Sequence, residues 1–330
     1  MHVLPRRDER VPDNYIGTAM TTNTIWPDDK RFAFTVFDDT DCATLENVKG
    51  VYDFLADCGF CTTKSVWVMV GDPNRGKKPG QTCADPDYLR WLLDLQAKGF
   101  EIGFHNGTWH SLPRDAVRAA LDKFAELFGH DPNVAANHTG VADGIYWADA
   151  RLTGWRRPLY NLLTGFHNLG KYRGHVEGDP HFWGDLCKAR VKYFRNFVFR
   201  DINTLKACPI MPYHDPRRPY VNYWFASSDG ADSTNFNECI TEAAQDRLEE
   251  EGGACIMYTH FAAGFSDAGQ LNPRFQSLME RLAKKNGWFV PAGELLDHLT
   301  QINGHREISR PERRRLECKW LWEKIRIGTD

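Results

Sequence analysis

Phe32-Ala33-Phe34-Thr35-Val36-Phe37-Asp38-Asp39-Thr40-Asp41 runs six apolar or β-branched residues straight into three carboxylates. An unbroken apolar run of this length, without polar alternation, reads as a strand covered on both faces of a parallel sheet. Ionised acids are costly at the end of a core strand unless something positive meets them. The carboxyl ends of such strands are also where α/β folds bind ligands. Capping of the next helix accounts for one of the three acids. The adjacent pair Asp38-Asp39 points to a site.

Outward from this strand, the chain alternates. Thr44 opens a helix carrying Val48, Val51, Tyr52 and Leu55 at helical spacing, and Gly59 ends it. Ser65 to Val70 reads as a second buried strand, and Asp85-Pro-Asp opens a second helix that stops at Gly99. Glu101 to Phe104 is a short third strand, Pro113 to Phe128 a third helix, and Asn133 to Ala136 a fourth strand. Residues 150–193, rich in Trp, Tyr, Gly, His and Arg, break the rhythm and read as an insertion. It resumes with strands at Asn196–Phe199, Val221–Ala226, Ala254–Tyr258 and Trp288–Val290, between helices near 238–250, 273–285 and 294–299. Repeated β-then-α alternation indicates a parallel sheet, and so many repeats favour a barrel. The expected organisation is an irregular arm over 1–30, an α/β barrel of seven or eight parallel strands over 31–299, and a tail over 300–330.

With 42% apolar and 26% charged residues, the 330-residue chain has the composition of a globular enzyme. Its formal net charge of −3 argues against nucleic acid as a partner. Nine scattered cysteines suit reduced thiols in a cytoplasm, and Cys58-x-x-Cys61 has no second pair to complete a zinc ribbon. The first thirty residues hold charges and prolines without an apolar core, so no secretory leader is expected. In the tail, Ser309-x-x-Glu312 is a capping box that opens a basic helix bearing Trp320 and Trp322. Such a helix packs on its own domain or a second subunit, or lies on the inner face of an anionic membrane.

Strand after strand ends in polar residues able to meet at one rim. These are Asp38 and Asp39, His105 and His110, Asn137 and His138, Asp229 and Asp232, then Thr259 and His260. One carboxylate with two imidazoles suits a divalent metal with positions left open for water. A second carboxylate and a separate His would then serve as base and acid.

At these residues the chain resembles the polysaccharide deacetylases of carbohydrate esterase family 4, which fold as the distorted (β/α) barrel of NodB type. Thr35-Val-Phe-Asp38-Asp39, Gly103-Phe-His105-Asn-Gly-Thr-Trp-His110, Trp224-Phe-Ala-Ser-Ser-Asp229-Gly-Ala-Asp232 and Met257-Tyr-Thr-His260 are similar to its first, second, fourth and fifth motifs. The resemblance implies Asp38 as the base, zinc (or cobalt or nickel) on Asp39, His105 and His110, and His260 as an acid tuned by Asp229 or Asp232. It covers Phe32 to about Leu299. Three departures stand out. The second imidazole of the pair comes one position late, because Trp109 stands where the family has it, and Gly107 offers room for a compensating bulge. The third motif's Arg, which holds the base, is replaced at the equivalent strand end by Asn137-His138, so His138 is a candidate orienter or extra ligand. Ser233 follows the fourth motif where the family has Trp.

The implied activity is hydrolysis of an acetamide on a cytoplasmic N-acetylated sugar or glycoconjugate precursor, with Trp109, Trp224, Arg217 and Arg218 as candidate substrate contacts. Two other readings stay open: hydrolysis of another C–N bond, such as a cyclic amide or ureide, and a carbohydrate-binding barrel without catalysis.

Overall fold

A computed structural model describes residues 25–75 and 79–327, so most of the expected N-terminal arm lies outside the described residues. β1 (Phe32–Asp38) leads into α1 (Leu45–Asp57), β2 (Thr63–Val66), α2 (Pro86–Ala97), β3 (Glu101–Phe104), α3 (Arg114–Phe128) and β4 (Val134–Ala135). The insertion holds α4 (Arg156–Leu163) and α5 (Gly184–Arg190). β5 (Tyr193–Phe199), α6 (Thr204–Ala207), β6 (Tyr213–His214), β7 (Tyr223–Asp229), α7 (Ser233–Cys239), α8 (Glu242–Glu250) and β8 (Ala254–Thr259) follow. After a hairpin of β9 (Ser266–Asp267) and β10 (Gln270–Leu271) come α9 (Pro273–Ala283), β11 (Gly287–Trp288), α10 (Ala292–Asn303), β12 (Arg306–Glu307) and α11 (Arg310–Ile327).

Seven strands, β1, β2, β3, β4, β5, β7 and β8, pair in parallel and close on themselves, since β8 pairs with both β7 and β1. This is the expected distorted (β/α) barrel. The distortion sits at one seam. β1 pairs with β2 only at Phe37 and Asp38, while its opening residues Phe32 and Ala33 pair instead with β11. Every residue of β1 is buried, as a strand inside a ring of helices must be. α1 is capped by Thr44 and Asn47 in a reciprocal capping box, so none of the three preceding acids is needed as its cap.

Two strands start earlier than their apolar runs suggest. β2 begins at Thr63 rather than Ser65, and β5 at Tyr193 rather than Asn196, because Lys64 and Arg195 lie inside them with buried side chains. Each cation is accommodated by one of the acids that follow β1.

The tail is built into the fold. α11 buries Leu316, Trp320 and Leu321, and Trp320 packs its ring near Tyr160 of α4 and Phe197 of β5. Glu317, with no exposure, accepts from the Thr153 amide (3.0 Å) and hydroxyl (2.8 Å) and from Arg156 Nε (2.6 Å). The Trp-bearing face is thus spent on the insertion, and the membrane contact expected of this helix finds no support; Trp322 and Ile325 are the large apolar side chains it leaves exposed. Among the described residues no helix is long and apolar enough to cross a membrane.

Removing one partner of a buried ion pair leaves the other charge uncompensated, at a cost of about 3–5 kcal/mol. Glu317→Ala should lose stability of that order in urea unfolding, whereas Trp322→Ala at the exposed position should stay within about 0.5 kcal/mol of the parent.

Candidate metal centre

The acid that ends β1 does not face the cleft. Asp38 is fully buried, with the Lys64 ammonium 2.9 Å from one oxygen, the Tyr52 hydroxyl donating to it (2.9 Å) and the Phe261 amide donating to the other (2.8 Å). The Lys64–Asp38 angle lies outside hydrogen-bond range, so their attraction is charge on charge. Burial alone would lower the Lys64 pKa, but the Asp38 carboxylate raises it, so Lys64 stays charged. The resemblance implies Asp38 as the base; here its oxygens face Lys64, Tyr52 and the Phe261 amide, and it does not line the cleft.

Asp39 turns the other way. Arg195 grips it with both terminal nitrogens, and the guanidinium lies over the rings of Phe37 (5.0 Å) and Tyr258 (4.4 Å). Bidentate pairs of this kind fix direction as well as charge. Burial opposes ionisation of Asp39, but Arg195 and His105 hold its pKa below the ordinary carboxylate value. Arg195 therefore holds an acid in place, the task that the resemblance looked for at Asn137-His138.

Asp41, two residues on, gathers three imidazoles. His105 Nε2 lies 3.0 Å from one oxygen, His138 Nδ1 2.9 Å from the other, and His260 Nε2 3.6 Å away. Asp41, His105 and His138 form one group with metal-ligand spacing, and Asp39, Asp41 and His260 a second that shares Asp41. The donors fit a divalent transition metal. His105 Nδ1 and His138 Nδ1 are buried without a hydrogen-bond partner, although His138 Nδ1 sits beside a carboxylate, off the hydrogen-bond direction. His260 makes the same point. Its Nδ1 is 2.8 Å from the Ala231 carbonyl, which can only accept, so a neutral His260 would present a lone pair to Asp41. A proton on Nε2 or a cation beside it removes that repulsion. Without a cation, burial would lower the His260 pKa, but Asp41 and Asp39 bring it up to about 9.

Local backbone explains why His138 and not His110 joins His105. Asn106 adopts a left-handed φ of 57°, and its side-chain oxygen accepts from the His138 amide (2.7 Å) while its nitrogen donates to buried Asp143 (2.8 Å). Gly107 is packed closely; a Cβ there would meet Leu112 at 2.6 Å. The chain then carries His110 away, where its Nε2 accepts from the Asp72 amide (2.7 Å). His110 is in neither group, whereas the resemblance implies the set Asp39, His105 and His110.

Asn137 clasps Ile145 through both its amide atoms, and so fixes the loop after β4. Asp232 is the N-cap of α7, accepting from Asn235 (2.9 Å). Asp229 lines the cleft, but the His260 Nδ1 proton goes to a backbone carbonyl and not to a carboxylate. Trp224 is core, Arg218 is buried in an ion pair with Asp215, and Trp109 packs on Trp67; none of the three lines the cleft. Arg217 is exposed on a separate surface depression beside Arg313 and Arg314.

If the first group holds the metal, Asp41→Ala, His105→Ala and His138→Ala should each lose most bound zinc by elemental analysis, and His110→Ala should keep it. The metal-free protein should also show a pH signature. The folded His260 pKa of about 9 lies above the unfolded 6.5, so its stabilisation is complete below pH 6.5 and lost as pH rises through 9. His260→Gln should flatten that part of the stability profile measured in chelator.

No family model and no curated protein matches the chain. Among solved structures, a Mycobacterium smegmatis chain designated a polysaccharide deacetylase is similar with a TM-score of 0.48 at 13% identity, over 87% of this chain and 96% of its own. PuuE allantoinase gives 0.45 at 13% identity, over 89% and 98%. Peptidoglycan deacetylase PdaC from Bacillus subtilis gives 0.37 at 13%, over 83% and 93%. Likenesses this distant carry no argument about activity, which rests on the residues of the site.

Proposed function

We propose that the chain is a metal-dependent hydrolase that removes an acetyl group from an N-acetylated amino sugar or its conjugate. One observation carries this reading. A clamped carboxylate, Asp39, and an imidazole poised to be protonated, His260, flank the same point beside a set of donors able to hold a divalent cation. Asp41, His105 and His138 would hold the ion. When bound, it would polarise the amide carbonyl and make water a better nucleophile at neutral pH.

The protein's own groups supply the proton transfers. Asp39, kept ionised and aimed by Arg195, accepts a proton as water attacks the acetamide carbon. His260, its Nδ1–H fixed on the Ala231 carbonyl, presents Nε2 to the leaving nitrogen and gives it a proton as the C–N bond breaks. Water and acetamide become acetate and a free amine. The rings of Tyr258 and Phe37 cover the Arg195 guanidinium beside Asp39.

Acetate release from N-acetylated sugars by the zinc-loaded protein is the direct test. Ring opening of a cyclic amide in its place would move the reading to another C–N bond, and zinc binding without any turnover would leave a binding barrel. Loss of a positioned acid or base typically lowers turnover about 10²–10⁴-fold. Asp39→Asn should fall by that order while retaining zinc. Asp38→Asn should chiefly lower unfolding stability, because it strands the Lys64 charge.

A further inference from the structure

Beyond the acids, the cleft turns basic. It encloses about 420 Å³, within the range of small-molecule pockets, and its far wall comes from the insertion and α11. Arg151, Tyr160, Lys171, Tyr172, Trp320 and Lys324 line that wall.

Arg151 is the anomaly. It is only 7% exposed, and its guanidinium stacks over Trp147 (4.0 Å) and Trp320 (4.3 Å). Its neutral partners are the Asn196 carbonyl at 3.4 Å and the Tyr160 hydroxyl, and Nε has no hydrogen-bond partner. Among the described residues no carboxylate pairs with it. The nearby acids are committed: Glu317 to Arg156, Asp149 to Arg157, and Asp39 to Arg195. Burial, together with the charge of Arg195, lowers the Arg151 pKa to about 10 even though Tyr160 and Tyr172 work the other way. A desolvated guanidinium held flat between two indoles, near a second cation and open to a cleft, is a receptor for a planar or tetrahedral oxyanion.

We propose that Arg151, with Lys171 and Lys324 at the rim, binds an anionic group of the substrate, so that the site takes a small phosphate- or carboxylate-bearing N-acetyl sugar and not a neutral polymer. This rests on the deacetylase reading for the word N-acetyl, but the anion subsite itself does not. The charge agrees. Lys171 and Lys324 line the same chamber as Arg151, so three cations face its interior.

The test uses probes without a scissile amide. Binding of glucose 1-phosphate, glucuronate and glucose to the full chain is measured by titration calorimetry, with zinc and again with chelator. A charge-assisted contact predicts that at least one anionic probe binds about 10- to 100-fold more tightly than glucose. Arg151→Gln should abolish that advantage, while anion held on the metal alone would survive the substitution and vanish with chelator. The phosphate and carboxylate arms assign the anion. Equal affinity for all three probes, or wild-type anion binding by Arg151→Gln, overturns the proposal. Should Arg151→Gln fail to fold by near-ultraviolet circular dichroism, Lys171→Gln at the exposed rim decides: a several-fold loss supports the subsite and none overturns it. Acetate release is scored separately. Arg151-dependent anion binding without acetate release would sink the deacetylase reading alone.

Discussion

The buried pair of Lys64 and Asp38 sets the aim of everything at the rim. β1 and β2 meet at only two positions, and one of them is Asp38 opposite Lys64. With that carboxylate drawn between two strands and held by Tyr52 and the Phe261 amide, the backbone leaves the barrel with its next acid on the opposite side. Asp39 then meets Arg195 across the mouth, and Asp41 reaches the three imidazoles. Three acids within four residues thus have three different sets of partners: Lys64 and Tyr52 for the first, Arg195 for the second and imidazoles for the third.

The barrel was legible because its signals are local. Apolar runs, helix caps and their alternation each report on a few neighbouring residues, and the closed parallel ring follows from their order. The site was legible only by region. Asp39, Asp41, His105, His138 and His260 all line the cleft, yet the sequence reading gave Asp41 no role, while Asp38 turns to Lys64. The clue was Lys64, a cation inside an otherwise strand-like stretch, which had to find a buried acid. Arg195 was missed for the same reason: a charge in Tyr-Phe-Arg-Asn-Phe-Val-Phe looked like the edge of the strand rather than its business end. An internal cation is better read as half of a pair whose other half is distant in sequence.

His138 and not His110 stands with His105 beside Asp41, for a reason that spacing does not carry. Two imidazoles close together in sequence suggest a shared ion, but a single left-handed residue, Asn106, redirects the chain after the first of them. Asn106 at the same time anchors the His138 backbone from the neighbouring strand end. One side chain both loses the near ligand and secures the far one. That coupling lies in backbone conformation and is invisible to residue spacing.

The tail helix has a consequence for the cleft. Its outer wall includes Trp320 and Lys324, so the seven barrel strands by themselves leave the chamber open on that side. Until α11 docks, Arg151 lacks one of its two indole covers and Arg156 its acid. One helix thus closes the chamber and shields both arginines of the wall behind it.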